Sequence, residues 1–424
     1  SKDLENWIKM IKPIFEENIG SSIKFCIMAE GKMDLYPRNK PTMEWDIAAG
    51  HSILKAAGGN IFSVSGLQIQ YGKKNFRNEN FLAVGKITNR LPSYFLTGLN
   101  QLNKVKYKQD LNLAVNALKD KKLVVFPTET VYGIGAIGNN KKAINAIYAA
   151  KQRPYNNPLI AHTFNKHEAE KIVEFTKIAH LLTDQFWPGP LTIILQIKKT
   201  NLSNILSQGS QTLAIRVPSH PVALDLLEKV KVPILAPSAN KSGGVSPTSA
   251  NHAKDDFGPH YKGKDWVLEK ILDYGVCEVG IESTVVDCRD ETPIILRHGA
   301  ITANMIFNAT NIKVLTLNKT QELISPGLLK SHYAPNAQVL LNQKRKIADS
   351  GWLAFGKIPK SLQKQENMFN LSPDGNLIQA GTLLYSGLRF LDSTGVKIIQ
   401  VMTIPKVGIG IAINDRLTRA SSSK

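Results

Sequence analysis

The chain is poor in cysteine and has no long apolar run. Its 424 residues include three cysteines, Cys26, Cys277 and Cys288, which are too few and too scattered for a disulfide framework or a zinc site. No stretch reaches about 18 uninterrupted apolar residues, so no transmembrane helix is predicted. The segment Ser1–Ile11 mixes charged and apolar side chains and lacks the apolar centre of a secretory signal. We therefore expect free thiols, a cytoplasmic location and no membrane partner.

Acidic side chains are also in deficit. The chain has 53 Lys and Arg against 34 Asp and Glu, a formal net charge of +19, and the surplus is spread along its length. Such a balance favours anionic partners such as nucleotides or RNA. The sequence shows neither the aromatic pattern of an RNP motif nor a dense basic stripe, which argues against a dedicated RNA-binding module.

Apolar and polar patterns divide the sequence into regions. A hydrophobic content of 43% is ordinary for a globular protein, and the length allows two or three domains. Strand-like runs such as Leu123–Phe126 alternate with helical patterns such as Pro221–Val230, which predicts an α/β domain. A shorter α/β pattern follows near the end of the chain, with strands expected at Val339–Leu341, Trp352–Phe355 and Ile398–Val401. We expect segments at 1–98, 106–310, 311–336 and 337–424, with a polar linker over 100–110.

Two polar motifs in the central region follow a predicted strand and a predicted helix. Thr128, Glu129 and Thr130 come directly after Leu123–Phe126, at a strand end where α/β sheets bind ligands; a capped turn is the alternative. Lys151 and Arg153 stand at a helix end, where they can hold a polyphosphate or merely complement the helix dipole.

Three more motifs carry polar groups. Arg216 shares one strand face with Thr212 and needs an anion, which is either a ligand or a protein carboxylate. The loop 236–248 offers hydroxyls and paired glycines that suit an anion, although it lacks the ending of a P-loop. Ser283 and Arg297 are expected at the neighbouring ends of a β-hairpin.

Together, these motifs resemble those of the threonylcarbamoyl-AMP synthase family. The resemblance covers a YrdC-like domain over about 106–310. Ser325–Gly327 and His332–Pro335 resemble the linker that leads to the family's C-terminal Rossmann-like domain. The resemblance implies an α/β fold with a twisted open sheet, followed by this linker and the small Rossmann-like domain.

The resemblance also implies an activity, in which L-threonine, bicarbonate and ATP give threonylcarbamoyl-AMP and pyrophosphate for the t6A modification of tRNA. The expected catalytic residues are Lys151, Arg153 and Arg216. Around threonine it places Thr130, His162, Arg216, Ala236 and Ser283. Around ATP it places Lys151, Arg153, Asn157, Thr212, Ser238, Ser246, Arg297 and Tyr333. Downstream carbamoyl-threonyl transfer proteins and, indirectly, tRNA are the implied partners.

These residues suit phosphoryl transfer, which asks a protein mainly for positioning and charge neutralisation. Arg216 suits a two-pronged hold on the threonine carboxylate, and Mg²⁺ is expected to enter with ATP. No general base is evident. We expect closure of the linker over the site to exclude water.

The first hundred residues have a different resemblance. Ala29–Pro37 and Glu44–Gly50 resemble the C-terminal half of the inositol monophosphatase superfamily, in wording closest to its 3′(2′),5′-bisphosphate nucleotidases. The resemblance predicts an α/β half-domain in which Asp46 matches a Mg²⁺ ligand. The family's other metal carboxylates are missing from the chain, so Asp46 is expected to be a vestigial metal site that serves as a helix N-cap, and no phosphatase activity is expected.

Two alternatives remain open. One is a non-catalytic RNA-binding protein that uses the pocket as an anion groove. The other is an accessory domain of the carbamoyltransferase type, since YrdC-like modules also occur in hydrogenase-maturation proteins; the missing zinc-type cysteine pairs and the linker motif argue against it.

Overall fold

The computed structural model describes two compact units. Contacts separate Ser1–Asp110 from Leu111–Lys424. The described residues are 19–38, 40–63, 69, 71–78, 80–85, 107–258, 261–263, 266–316, 332–343, 347, 349–358 and 367–422. The motif Ser325–Gly327 and the predicted boundary at 98–106 lie outside them. Within these ranges, no helix has the length and apolar character needed to cross a membrane.

The first unit is a small α/β layer. Its elements are α1 (Ile23–Ala29), β1 (Leu35–Arg38), β2 (Thr42–Met43), α2 (Glu44–Ala56), β3 (Asn60–Ser63), β4 (Arg77–Asn78) and β5 (Phe81–Val84). The strands β1, β5 and β3 form an antiparallel sheet in that order. Apolar side chains of both helices and the sheet share one buried cluster that includes Phe25, Leu54 and Phe81. This part of the chain therefore has a core of its own.

The second unit contains a large mixed sheet. Its strands are β6 (Leu123–Phe126), β7 (Gly133–Ile137), β8 (Ile160–His162), β9 (Leu191–Gln196), β10 (Thr212–Arg216), β11 (Ile234–Ala236), β12 (Leu268–Ile271), β13 (Thr284–Asp287), β14 (Ile294–Arg297) and β15 (Leu315–Thr316). Their order is β12-β6-β7-β11-β8-β10-β9-β13-β14-β15. The parallel pair β8 and β10 brings His162 opposite Arg216. These two side chains therefore lie side by side at the C-terminal ends of neighbouring strands.

Helices connect these strands. They are α3 (107–119), α4 (Lys141–Lys151), α5 (Lys166–Glu170), α6 (Lys177–Phe186), α7 (Asn201–Ser207), α8 (Pro221–Val230), α9 (Ala250–Phe257) and α10 (Ala303–Thr310). Side chains stabilise their first turns, as where Asn140 accepts a hydrogen bond from the Ala143 amide at the start of α4. Pro221 fits the first position of α8, because that position needs no donor.

The C-terminal part is a parallel sheet with two helices. The strands β16 (Gln338–Leu340), β17 (Gly351–Ala354), β18 (Met368–Asn370) and β19 (Ile398–Val401) pair in the order β16-β19-β17-β18. The helices are α11 (Leu377–Ser393) and α12 (Gly410–Ser421). One apolar cluster joins Leu384 and Ile413 of these helices to Val131 and Ile281 of the preceding sheet region. The C-terminal helices are therefore packed against the loops of the large-sheet region.

The predicted α/β fold is confirmed, and some details differ. Residues 107–110, expected in a polar linker, begin α3. The segment after Thr130 leads into the strand β7, which pairs antiparallel with β6. Asp46 was expected to be a helix N-cap, and this was wrong: Met43 is the cap of α2, and Asp46, in the first turn, accepts a hydrogen bond from the Met43 amide at 2.7 Å. A carboxylate in that position stabilises the helix start just as a capping box does.

Candidate active site

A narrow cavity of about 50 Å³ lies beside the ends of β8, β10 and β14. It is lined by Thr128, Thr130, Val131, Gly133, Arg153, Pro158, Ile160, His162, Arg216, Ala236, Pro237, Ser238, Glu282, Ser283, Arg297, His332 and Tyr333. The predicted residues Thr130, Arg153, Arg216, Ser238 and Arg297 are thus neighbours, as are His162, Ala236, Ser283 and Tyr333. Residues spread over some two hundred positions in sequence form one wall around this space.

Arg216 is fixed by an acidic partner that the sequence interpretation left open. Its Nη2 donates to Glu129 Oε1 at 2.5 Å, its Nη1 to Thr130 Oγ1 at 3.0 Å and its Nε to the Gly189 carbonyl at 3.1 Å. Both charged side chains are buried. Burial raises the pKa of Glu129, but the charge and hydrogen bonds of Arg216 outweigh it and hold that pKa below its ordinary value. A ligand carboxylate must therefore use the N–H groups that Glu129 and Thr130 leave over.

Lys151, the last residue of α4, and Arg153, two positions later, have different surroundings. Arg153 lines the cavity and donates to Asn157 Oδ1 at 2.6 Å and to the Pro158 carbonyl at 2.9 Å. Burial lowers its pKa to about 10, so the guanidinium remains charged at neutral pH. Lys151 is 1% exposed and donates to the carbonyls of Ser238, at 2.6 Å, and Asn240. These hydrogen bonds hold the loop after β11 in place, and Lys151 does not line the cavity.

The predicted hairpin is confirmed. The strands β13 and β14 pair antiparallel, and Ser283 stands just before the first while Arg297 ends the second. Arg297 Nη2 donates to Ser283 Oγ at 3.0 Å, and Ser283 Oγ lies 2.7 Å from Thr192 Oγ1. The hairpin therefore presents a hydroxyl and a guanidinium together at the cavity wall.

Glu282 supplies a carboxylate to the same wall. Its Oε1 accepts from Ser246 Oγ at 2.5 Å, and its Oε2 accepts from Tyr385 at 2.8 Å and Arg416 Nε at 2.9 Å. Burial raises the pKa of Glu282, but the charges of Arg416 and Arg297 bring it down to about 2. The carboxylate is therefore ionised across the physiological range.

Two histidines line the cavity in their neutral form. His162 packs edge-on against Phe126, and its Nδ1 lies 3.2 Å from the Ile160 carbonyl. Burial lowers the pKa of His162 to about 3, and it does the same to His332. Neither imidazole is positioned to change its charge near neutral pH.

A second opening adjoins the cavity at Pro158, which lines both. This groove has a volume of about 590 Å³ and is lined by Thr212, Asn156 and Tyr155, among others, which is a common size for a ligand site. Thr212 stands four residues before Arg216 on β10, so it belongs to the groove and not to the cavity. Tyr155 stacks on Tyr148 with ring centroids 4.8 Å apart.

Three predicted residues line neither space. Lys151 holds the loop at Ser238, Asn157 accepts the hydrogen bond from Arg153, and Ser246 donates to Glu282. Each contacts a lining residue or its backbone and so supports the wall from behind.

Sequence reasoning missed several residues of the site. Glu282 and Thr128 line the cavity, and Glu129 forms an ion pair with Arg216. All three belong to motifs that the sequence analysis describes, and their carboxylate or hydroxyl groups could have marked them as site residues. Arg416 and Tyr385 gave no local signal, because they approach Glu282 only through the packing of the C-terminal helices.

Asp46 belongs to the first unit and is exposed. Among the residues that the structure describes, no three His, Cys, Asp or Glu side chains gather in a group that could hold a metal ion. Its observed contact is the hydrogen bond to the Met43 amide.

Comparison with known families gives three matches along the chain. Residues 116–299 match the family model described as "Telomere recombination", also labelled Sua5, YciO and YrdC. Residues 301–422 match the model "Threonylcarbamoyl-AMP synthase, C-terminal domain". Residues 6–94 match the inositol monophosphatase family model.

Individual relatives agree with the first two of these matches. A threonylcarbamoyl-AMP synthase of Pyrococcus abyssi is 35% identical over 328 residues, which are 73% of this chain and 94% of the relative. One of Bacillus subtilis is 36% identical over 73% of this chain and 92% of its own length. The crystal structure of P. abyssi Sua5 complexed with L-threonine superposes with a TM-score of 0.66 and 32% identity, covering 73% of this chain and 94% of that one. The chain belongs to the threonylcarbamoyl-AMP synthase family.

Proposed function

We propose that the chain is a nucleotidyltransferase that makes threonylcarbamoyl-AMP and pyrophosphate from L-threonine, bicarbonate and ATP. The product would pass to the proteins that transfer the carbamoyl-threonyl group to tRNA in t6A synthesis. The observation that carries this proposal is the gathering of Arg153, Arg216 and Arg297 around one cavity. Glu129 already pairs with Arg216, but Arg153 and Arg297 add further buried positive charge, which favours anions beside it. A carboxylate, a bicarbonate and a triphosphate are three such anions.

The assignment of substrates to residues follows the cavity and the groove. Threonine would lie near Thr130, His162, Arg216, Ala236 and Ser283. ATP would extend from Arg153, Ser238, Arg297 and Tyr333 in the cavity past Pro158 to Thr212 in the groove, a course that the adjoining walls support. In this arrangement Lys151, Asn157 and Ser246 support the site without contacting the substrates.

The proposed reaction has two bond-forming steps. The threonine amine attacks the bicarbonate carbon and, with loss of water, gives a carbamate. A carbamate oxygen then attacks the α-phosphorus of ATP, and the bond to the bridging oxygen breaks so that pyrophosphate leaves. The guanidinium groups and hydroxyls of the wall would orient the reactants and offset the developing charge. The low pKa values of Glu282, His162 and His332 suit a site that works by positioning.

Mg²⁺ would enter as the complex with ATP. Within the described wall, Glu282 is the one carboxylate, and its oxygens already accept from Ser246, Tyr385 and Arg416. Because Mg²⁺ keeps several waters and takes phosphate oxygens readily, the triphosphate itself is the suitable ligand.

We also propose the segment boundaries 1–98, 106–310, 311–336 and 337–424 as functional divisions. The family matches at 116–299 and 301–422 support the middle and last segments. The first segment would lack phosphatase activity, since within the described residues Asp46 belongs to no group of three His, Cys, Asp or Glu side chains that could hold a metal ion.

The proposal is tested with the full chain, ATP, Mg²⁺, L-threonine and radiolabelled bicarbonate. We expect pyrophosphate release that requires both threonine and bicarbonate, with the label appearing in an adenylylated product. Affinity for tRNA without pyrophosphate release would instead favour the RNA-binding alternative. In a parallel reaction with adenosine 3′,5′-bisphosphate and Mg²⁺, we expect no phosphate release, and robust turnover there would overturn our view of the first segment.

The end of the linker is proposed to act as a cover for the cavity. The Ala334 amide donates to the Gly243 carbonyl at 2.9 Å, and Tyr333 is 1% exposed with its ring 5.8 Å from that of Tyr385. This backbone contact and this packing place the linker end between the loop after β11 and the C-terminal helices. A cover in that position would keep water from the labile mixed anhydride.

Replacing Tyr333 with Ala tests the cover. We expect the variant to fold but to bind ATP about tenfold more weakly, because a buried ring that closes the wall is lost. The Tyr333→Phe variant keeps the ring and is expected to fall between the wild type and Y333A. Steady-state kinetics with varied ATP and far-ultraviolet circular dichroism measure the two properties. Unchanged turnover of a folded Y333A would remove the idea of a cover.

A further inference from the structure

The C-terminal helices reach the cavity through Glu282. This residue precedes Ser283 at the cavity wall, and within the described wall it is the one acidic side chain. Two of its hydrogen-bond donors, Tyr385 and Arg416, come from α11 and α12, more than a hundred positions later. The chemistry of the wall thus depends on residues from the second sheet region.

Arg416 is placed to oppose the charge of Glu282. The guanidinium is fully buried, donates through Nε to Glu282 Oε2 at 2.9 Å and through Nη1 to Asp415 at 2.9 Å, and lies over the Tyr333 ring at 5.3 Å. A buried ion pair of this kind loses much more when one partner is removed than when both are replaced.

A separate set of contacts fixes α11 on the preceding sheet region. Thr382 donates to the Glu278 carbonyl at 2.7 Å, and Arg389 forms an ion pair with Asp256. These contacts hold the C-terminal part in place without touching Glu282. They provide a way to separate docking from charge neutralisation.

The charge of Glu282 matters because of what the cavity is proposed to bind. The following inference rests on the proposed function, in which both threonine and ATP present anionic groups to this wall. A carboxylate at the wall repels such groups, and in a site with little water the repulsion extends over several ångströms. A cation directly behind the carboxylate cancels it.

We propose that Arg416 is a positioning residue that neutralises Glu282, so that the cavity accepts anionic substrates only when the C-terminal helix α12 is in place. Tyr385 and Ser246 hold the same carboxylate by its two oxygens and keep it turned toward Arg416. The C-terminal part of the chain is then a component of the substrate site as well as a neighbour of it.

A double-mutant cycle on Arg416 and Glu282 tests this proposal. We expect Arg416→Met to raise KM for L-threonine and MgATP about tenfold or more, with a smaller change in kcat, because the Glu282 carboxylate then faces the substrates without the opposing charge of Arg416. The double variant E282Q/R416M removes that charge and is expected to regain most of the loss. Equilibrium binding of both substrates by calorimetry should follow the same order.

Arg389→Met is the matched control. It breaks an ion pair between the same two sheet regions but leaves no charge at the cavity, so we expect a lower unfolding temperature with KM values near those of the wild type. The proposal is overturned if R416M leaves KM unchanged, if R389M raises KM as much as R416M does, or if E282Q/R416M is no better than R416M.

Whether each variant folds is also an outcome of this experiment. If R416M does not fold while E282Q/R416M does, the unpaired buried charge is the cause, and the proposal is supported. If neither folds, Arg416 is needed for packing alone and the proposal fails. Should the wild type release no pyrophosphate, the proposed function fails by itself, whereas the calorimetric cycle with threonine and MgATP still measures the coupling of the two charges.

Discussion

Replacing Arg216 with Met is expected to lower kcat/KM for pyrophosphate formation about a thousandfold, since the change removes the buried cation that we propose binds the threonine carboxylate. The same change should lower the stability of the protein by about 3–5 kcal/mol, because the buried Glu129 carboxylate loses its charged partner and keeps the hydrogen bond from the Ser219 amide, at 3.2 Å. Initial rates of pyrophosphate release and the urea midpoint measure these two losses.

The double variant E129Q/R216M separates the two roles of Arg216. Removing the unpaired charge should restore most of the stability, while the activity should stay low because the cation that we propose binds the threonine carboxylate is still missing. Recovery of activity together with stability would show that Arg216 serves the fold alone. The single variant Glu129→Gln provides the reference for the cycle, since it keeps the guanidinium but removes its opposing charge.

The second large effect is expected at Arg153. Its guanidinium lines the cavity and holds Asn157 and the Pro158 carbonyl, so Arg153→Met removes both a charge and the support of the wall between cavity and groove. We expect kcat/KM for ATP to fall about a hundredfold, with threonine affinity changed much less. Kinetics with varied ATP and calorimetry with threonine provide the two numbers.

Arg153→Lys is the control for geometry. It retains a positive charge but cannot donate in a planar fork, so we expect it to recover only part of the lost ATP affinity. If R153M weakened threonine binding and left the KM for ATP unchanged, the placement of ATP along the cavity and groove would be wrong.

Local patterns in the sequence predicted much of the fold. The strands Leu123–Phe126 and Ile398–Val401 and the helix Pro221–Val230 have the predicted bounds, because continuous apolar runs and a proline at a helix start are local signals. The strand β7 was missed, since Gly133 and Gly135 weaken the strand pattern and their small size serves close packing against Phe126 and β11.

The site was predictable where a motif and a family resemblance coincided. Arg216 was expected to need an anion, but only the fold shows that Glu129 provides one. Thr212 and Arg216 share a strand face as expected, yet four residues of strand put them in different openings. Arg416 was beyond prediction, because its partner Glu282 is distant in sequence and the pairing depends on how two sheets pack.

Gly280 shows how little room lies between the two sheet regions. Its φ of +73° belongs to the left-handed region, and a Cβ atom there would stand 2.4 Å from the Thr382 Cα of α11. A single added methyl group would therefore push α11 away, and with it Tyr385, which donates to Glu282. A screen for loss of function would register such a change as a catalytic defect, although position 280 has no side chain to take part in the reaction.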